Sequence, residues 1–241
     1  MMKREFIILV ALTVLSCSIS AQLRPGIKAG YNFGGVMATA LKSVKTDEAG
    51  NPDNFHLRSG FHAGMIADWP INNTLAIQPG IRFAMQGFSD EYKNVYSNIR
   101  TFSLYYVQIP VYAQYRLNVA EEVNLLFQAG PYASVGLFGR QSWTRNGKSK
   151  ELNDNQKKIK FGGDPSDGID KSFDYGISAG VGIELFMFQF MLNYDFGLQK
   201  STFNKKISSA IYNIKDMRSH TFSATVAVIF GRRDPLHNEK D

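Results

Sequence analysis

The sequence has a single cysteine, Cys17, close to its N-terminus. One thiol cannot pair within the chain, so a disulfide framework is excluded. Long apolar runs are equally scarce. The clearest, Phe6 to Leu15, spans ten residues, too few for a helix to cross a bilayer. A polytopic helical membrane protein is therefore excluded, as the mean hydropathy of −0.20 also indicates. Charge is sparse too, at 20% of residues with a net of +6. That excludes extended disorder and gives no concentrated basic surface for nucleic acid. No segment after the N-terminal run keeps a helical period of 3.6 residues. What the sequence does have is aromatics at 13% and 21 glycines among 241 residues, a composition of strands and turns.

The N-terminus reads as an address. Lys3 and Arg4 precede the apolar run, and small or polar residues from Ser16 to Ala21 follow it. This is the pattern of a secretory signal peptide over 1–21, with Gln22 opening the mature chain. A competing reading takes Val14-Leu15-Ser16-Cys17 as a loose lipobox, with Cys17 lipidated.

Beyond it, period-two alternation recurs in eight runs. Successive strand side chains point to opposite faces. From Leu57 to Trp69 one face reads Leu57, Phe61, Met65 and Trp69, and the other Arg58, Gly60, His62, Gly64 and Asp68. Similar runs cover 27–33, 75–85, 105–117, 123–137, 173–185, 188–198 and 220–230. Most hold 11–15 residues, whereas soluble strands usually hold about 5–6 and a bilayer-crossing strand needs about 9–11.

The connections alternate as well. Short links fall at 70–74, 118–122 and 186–187, and long ones at 34–56, 87–102, 138–172 and 200–219. Short turns on one rim and long loops on the other predict an all-β fold. It is an eight-stranded antiparallel up-and-down transmembrane β-barrel, with short periplasmic turns and long outer loops. The barrel domain is expected over 22–230, followed by a periplasmic tail over 231–241. The alternative all-β reading, a soluble lipocalin-like ligand-binding barrel, requires the apolar face to point inward.

A barrel of eight strands leaves an interior that side chains fill. The polar faces carry Lys28, Arg58, Arg82 and Arg116 against Asp68, Asp174, Glu184 and Asp195, a balance of four and four. Unpaired buried charge is costly, so these groups are expected to pair. Counting from the strand ends predicts a low plug of Lys28, Arg116, Asp68 and Glu184, and a central one of His62, Arg82 and Asp195. Interfacial aromatic girdles are expected at Trp69, Tyr115 and Phe230 on one rim and at Tyr31, Tyr105 and Tyr175 on the other.

Catalytic signals are weak. An outer-membrane lipid-modifying hydrolase would need a His, a Ser and an acid on the lipid-facing surface. His62 and Ser178 have interior parity, and His220 has no Ser and acid beside it in the pattern. No catalytic, cofactor or metal residues are assigned. Residues 162–170 hold three Asp among turn formers; they lack calcium-loop spacing and read as a turn. The third outer loop holds eight basic residues (Arg140, Arg145, Lys148, Lys150, Lys157, Lys158, Lys160, Lys171) against five acidic ones. The expected partners are outer-membrane lipid, lipopolysaccharide phosphates and secretion or envelope proteins, around a monomeric barrel that binds no nucleic acid.

Several segments resemble one known family. They are Gly26-Ile27-Lys28-Ala29-Gly30-Tyr31-Asn32, the stretch Tyr106-Val107-Gln108-Ile109-Pro110 through Tyr115, Gly130-Pro131-Tyr132 and Phe173-Asp174-Tyr175-Gly176. Together they resemble the PorT-like outer-membrane β-barrel family of Bacteroidota over nearly all of the mature chain. The resemblance implies an eight-stranded barrel and, from the founding member, a link to type IX protein secretion. It implies no catalytic residues. Pro110 in the signature is expected to mark a bulge or bend facing the interior.

Overall fold

The computed structural model describes residues 23–38, 54–92, 98–151, 153, 157–162, 167–207 and 210–231. The expected signal peptide with Cys17, residues 163–166 of the acidic turn, the tail from 232 with His237, and the side chain of His56 lie outside the described residues.

The described strands are, in chain order, β1 (Arg24–Ala38), β2 (Asn54–Pro70), β3 (Leu75–Tyr92), β4 (Asn98–Ala120), β5 (Val123–Arg145), β6 (Lys148–Lys150), β7 (Lys158–Phe161), β8 (Asp167–Ile169), β9 (Phe173–Leu185), β10 (Phe188–Gly197), β11 (Ser201–Ile207) and β12 (Ala210–Ile229). Eight of them, β1 to β5 with β9, β10 and β12, pair antiparallel in sequence order, and β12 returns to β1 to close the ring. The fold is the expected up-and-down barrel. Closure leaves no free sheet edge in that ring.

The faces follow the alternation. Ile27, Tyr31, Phe61, Met65, Ile109 and Val181 are exposed on the outside, while His62, Asp68, Arg82, Gln108, Arg116 and Asp195 are buried inside. A soluble protein does not expose apolar surface on this scale. A lipocalin-like arrangement, with its apolar face inward, is not what these strands build.

The short rim is held by local chemistry. Asn72 Oδ1 accepts from the backbone N–H groups of Thr74 (2.9 Å) and Leu75 (2.7 Å), so the side chain stands in for a turn carbonyl. The two-residue links Glu121–Glu122 and Phe186–Met187 each hold one residue in the left-handed region, Glu122 (φ 58°) and Phe186 (φ 55°).

The long rim departs from expectation. β2 to β5 run for 17 to 23 residues, well past the apolar alternation, and segments read as loops carry ladder. β5 leaves β9 and pairs with β6 and β7, and β12 leaves β10 and pairs with β11. Between them β7 and β8 pair parallel, outside the all-antiparallel pattern of the ring. These extensions escaped the reading because an outside face no longer confined to apolar residues breaks the period-two signal.

The interior of this extension is partly apolar, with Gln141 buried beside the apolar side chains. Phe102, Leu104, Ile159 and Ile169 are buried, and Tyr106 meets Phe161 edge to face at 5.4 Å. Phe161 fits because position 136 is glycine; a Cβ there would fall 2.4 Å from the ring.

Pro110 corrects the expectation of a bulge. It faces inward, but the ladders on either side keep one register, with Pro79 opposite Val111 and Arg82 opposite Gln108. The missing N–H interrupts the pairing without inserting a residue. The bulge lies higher, where Tyr105 pairs with Phe138 and Tyr106 with Gly136, leaving Leu137 extra.

Candidate functional site

Among the described residues the barrel interior gathers buried charge, and it is built in levels. At the short-turn end Asp68 is fully buried and bridges two guanidinium groups. Arg24 donates to Oδ2 through Nε (3.0 Å) and Nη2 (2.5 Å), and Arg116 donates to Oδ1 through Nη2 (2.5 Å). Glu184 Oε2 lies 3.5 Å from Arg116 Nε and 4.0 Å from Arg24 Nη2. Gln189 donates to Glu184 at 2.7 Å and Asn124 at 3.1 Å. Two cations and two anions thus share one buried cluster, which is how a buried charge set stays tolerable.

Lys28 does not belong to that cluster, and this corrects the expected low plug. Arg24, not Lys28, lies opposite Asp68 in the β1–β2 ladder; Lys28 lies opposite Gly64. β1 begins at Arg24, ahead of the alternating run taken as its start. Lys28 instead sits a level higher, with Nζ 5.6 Å from the Tyr112 ring centre and with Arg82 and Asp195 as its charged neighbours.

At mid-height Arg82 donates to Asp195 Oδ2 and, at 3.0 and 2.8 Å, to Gln108 Oε1, while Gln108 Nε2 donates to Asp195 at 3.3 Å. His62 shares this height but ion-pairs with none of them. Its ring nitrogens hydrogen-bond Asn32 Oδ1 (2.8 Å) and Thr225 Oγ1 (3.0 Å). The ring fits because position 30 is glycine, where a Cβ would stand 2.6 Å from the imidazole. Gln114, Gln128 and Asn193 link into a further chain, at 3.2 and 2.5 Å. The shared parity of these amides along their strands is the signal in the sequence for this network.

Above these levels lies a cavity of about 30 Å³ bordered by Tyr106, Asp174, Gln199 and Arg218, room for about one water. Among the described residues no group of three His, Cys, Asp or Glu is placed to hold a metal, and no helix is long and apolar enough to cross a membrane, which leaves strands untouched.

The residues expected as girdles are on the outer surface. Trp69, Tyr115 and Phe230 stand exposed toward the short-turn rim, and Tyr31 and Tyr175 toward the other. Tyr105 is half-buried because it joins a stacked row, 5.8 Å from Phe83 and 4.6 Å from Phe138. His220 meets the Tyr194 hydroxyl at 3.0 Å and the Phe196 ring edge to face at 4.8 Å.

Residues 19–202 match the family described as outer membrane protein beta-barrel domain, and the chain belongs to it. It is an outer-membrane protein. No curated protein matches the sequence. Similar solved structures include the attachment invasion locus protein Ail of Yersinia pestis, at 16% identity and TM-score 0.39 over 87% of this chain and 99% of that one. OprG from Pseudomonas aeruginosa is 8% identical with TM-score 0.45, over 88% and 97%. Neisserial surface protein A is 13% identical with TM-score 0.39, over 86% and 97%.

Proposed function

We propose that this barrel is non-enzymatic and non-conducting, and that it works as an interaction or assembly component of the envelope. Its PorT-like segments point further, to an accessory role in type IX protein secretion. The observation that carries the reading is the filled interior. Paired charges at two heights and bonded amides around them support a stable plug rather than a passage. With the bore closed, the surfaces left for function are the rims and the outer extension.

The alternative, a lipid-modifying hydrolase, finds little support. The described contacts of His220 are a tyrosine hydroxyl and a phenylalanine ring, neither of which orients a base toward a serine.

Deleting the gene and assaying membrane and medium together tests the proposal. Loss of secreted cargo, an unchanged lipid-A mass spectrum and envelope proteins co-purifying with the tagged barrel are expected. Unchanged secretion with altered lipid-A acyl chains would overturn both the non-enzymatic and the secretion reading.

A further inference from the structure

The link between β9 and β10 is two residues, Phe186 and Met187, closed by the pairing of Leu185 with Phe188. Its first residue takes the left-handed region, at φ 55°. A two-residue turn of that kind ordinarily holds glycine or asparagine there, and a bulky side chain in that region is a backbone outlier. Phe186 is also 73% exposed, the most exposed large apolar side chain among the described residues, and Met187 is exposed beside it. Neither the local backbone preference nor burial within the chain rewards a phenylalanine here, so its reward lies outside the chain.

The hairpin around this turn shows only apolar side chains to the outside. Ile183, Phe188, Phe190 and Leu192 are exposed, whereas Glu184 and Gln189 are buried inside, bonded to each other at 2.7 Å. The apolar wall that meets lipid therefore continues around the turn without a break. The other short links differ. The one between β4 and β5 exposes Glu121 and Glu122, and the one between β2 and β3 exposes Asn72, Asn73 and Thr74. Each adds a single exposed large apolar residue, Val119 or Ile71, among those polar ones.

The backbone of the turn is also suited to leaving water. The Phe186 N–H donates to the Glu122 carbonyl at 3.3 Å, and the Met187 carbonyl accepts from the Ile229 N–H at 2.8 Å. Backbone groups taken up by neighbouring segments are what a lipid environment demands. We propose that this turn is a lipid anchor. Phe186 and Met187 lie among the phospholipid acyl chains of the leaflet at the short-turn rim, and the boundary between lipid and water passes between this turn and the adjoining Glu121–Glu122 turn. Apolar side chains gain by that placement, and carboxylates belong on its wet side. The proposal rests on the outer-membrane location and not on the secretion reading. It leaves the β2–β3 and β4–β5 turns as the part of this rim that a protein partner meets.

The test uses the full mature chain in phosphatidylcholine vesicles, with Trp69→Phe and Trp143→Phe removing both native tryptophans. Single reporters are then introduced by Phe186→Trp, Met187→Trp, Glu121→Trp and, on the lipid-facing wall, Leu192→Trp. Acyl chains brominated close to the headgroup should quench most of the emission at 186 and 187, while iodide in the surrounding water should leave it nearly unchanged. The reporter at 121 should behave the opposite way. Two reporters in the turn keep the test decisive where one substitution disturbs folding. Emission at 186 and 187 that iodide quenches and brominated lipid spares would overturn the proposal, and would mark the patch as a contact for a protein. A reporter at 192 that brominated chains fail to quench at any depth would overturn the proposal together with the membrane placement beneath it.

Discussion

Replacing Asp68 by alanine removes the anion that hydrogen-bonds both guanidinium groups of the low cluster. Arg24 is 6% exposed and Arg116 1%, so neither is bathed by solvent when its partner is lost. Breaking a buried pair by removing one side costs about 3–5 kcal/mol. Glu184 remains 3.5 and 4.0 Å from the two arginines and recovers part of that loss for one of them. The expected destabilisation is therefore about 4 kcal/mol, a large share of the ~5–15 kcal/mol that holds a typical fold. Adding Arg24→Ala restores charge balance, so the double variant should be less damaged than the sum of the singles by about 2 kcal/mol. Lys28→Met combined with Asp68→Ala should be additive to within about 0.5 kcal/mol, because Lys28 sits with a different charge group. Reversible denaturant unfolding from phospholipid vesicles, followed by tryptophan fluorescence, measures all of these. A loss below about 1 kcal/mol for Asp68→Ala, or stronger coupling of Asp68 to Lys28 than to Arg24, would refute this account of the cluster.

Other expectations follow from the same geometry. In planar bilayers the wild-type barrel should show no steady ion conductance, and neither should Arg82→Ala with Asp195→Ala, because the low cluster still fills the bore; steady wild-type openings would sink the plugged reading. Gly30→Ala places a Cβ 2.1 Å from the Ala224 carbonyl and 2.6 Å from His62. It should cost about 1–3 kcal/mol in the same unfolding assay, whereas Ala29→Ser on the outer face should stay within about 0.5 kcal/mol. Trp69 stands exposed at the short-turn rim, while Trp143 lies five residues past Phe138, about 17 Å along the strand and beyond the outer aromatic row. Brominated lipid should quench the fluorescence of a Trp143→Phe variant strongly and of a Trp69→Phe variant weakly; equal quenching would misplace the membrane band.

How much of this was legible beforehand depended on whether the signal was local. His62 and Arg82 could be assigned to the interior, because parity is written into each strand separately. Arg24 was missed although it shares parity with Lys28, since Pro25 obscures the start of the run. Pro25 is tolerated there because its position at the start of β1 demands no N–H from it, while its carbonyl accepts from Phe230 at 2.7 Å. Phe102 and Leu104 were read as part of a loop and its edge, because above the membrane band apolar residues turn inward and the outside is free to be polar.

The sequence by itself determined the number of crossings, which rim carries the short turns and which face of each strand meets lipid. Those properties repeat every second residue and need no partner strand to be read. Tertiary structure alone decided which charges meet, since that depends on the stagger between neighbouring strands. It placed Arg24 and not Lys28 against Asp68. It also decided where β5 and β12 exchange partners and where Leu137 is squeezed out of register, because ladder pairing is a contest among distant segments that no single strand encodes.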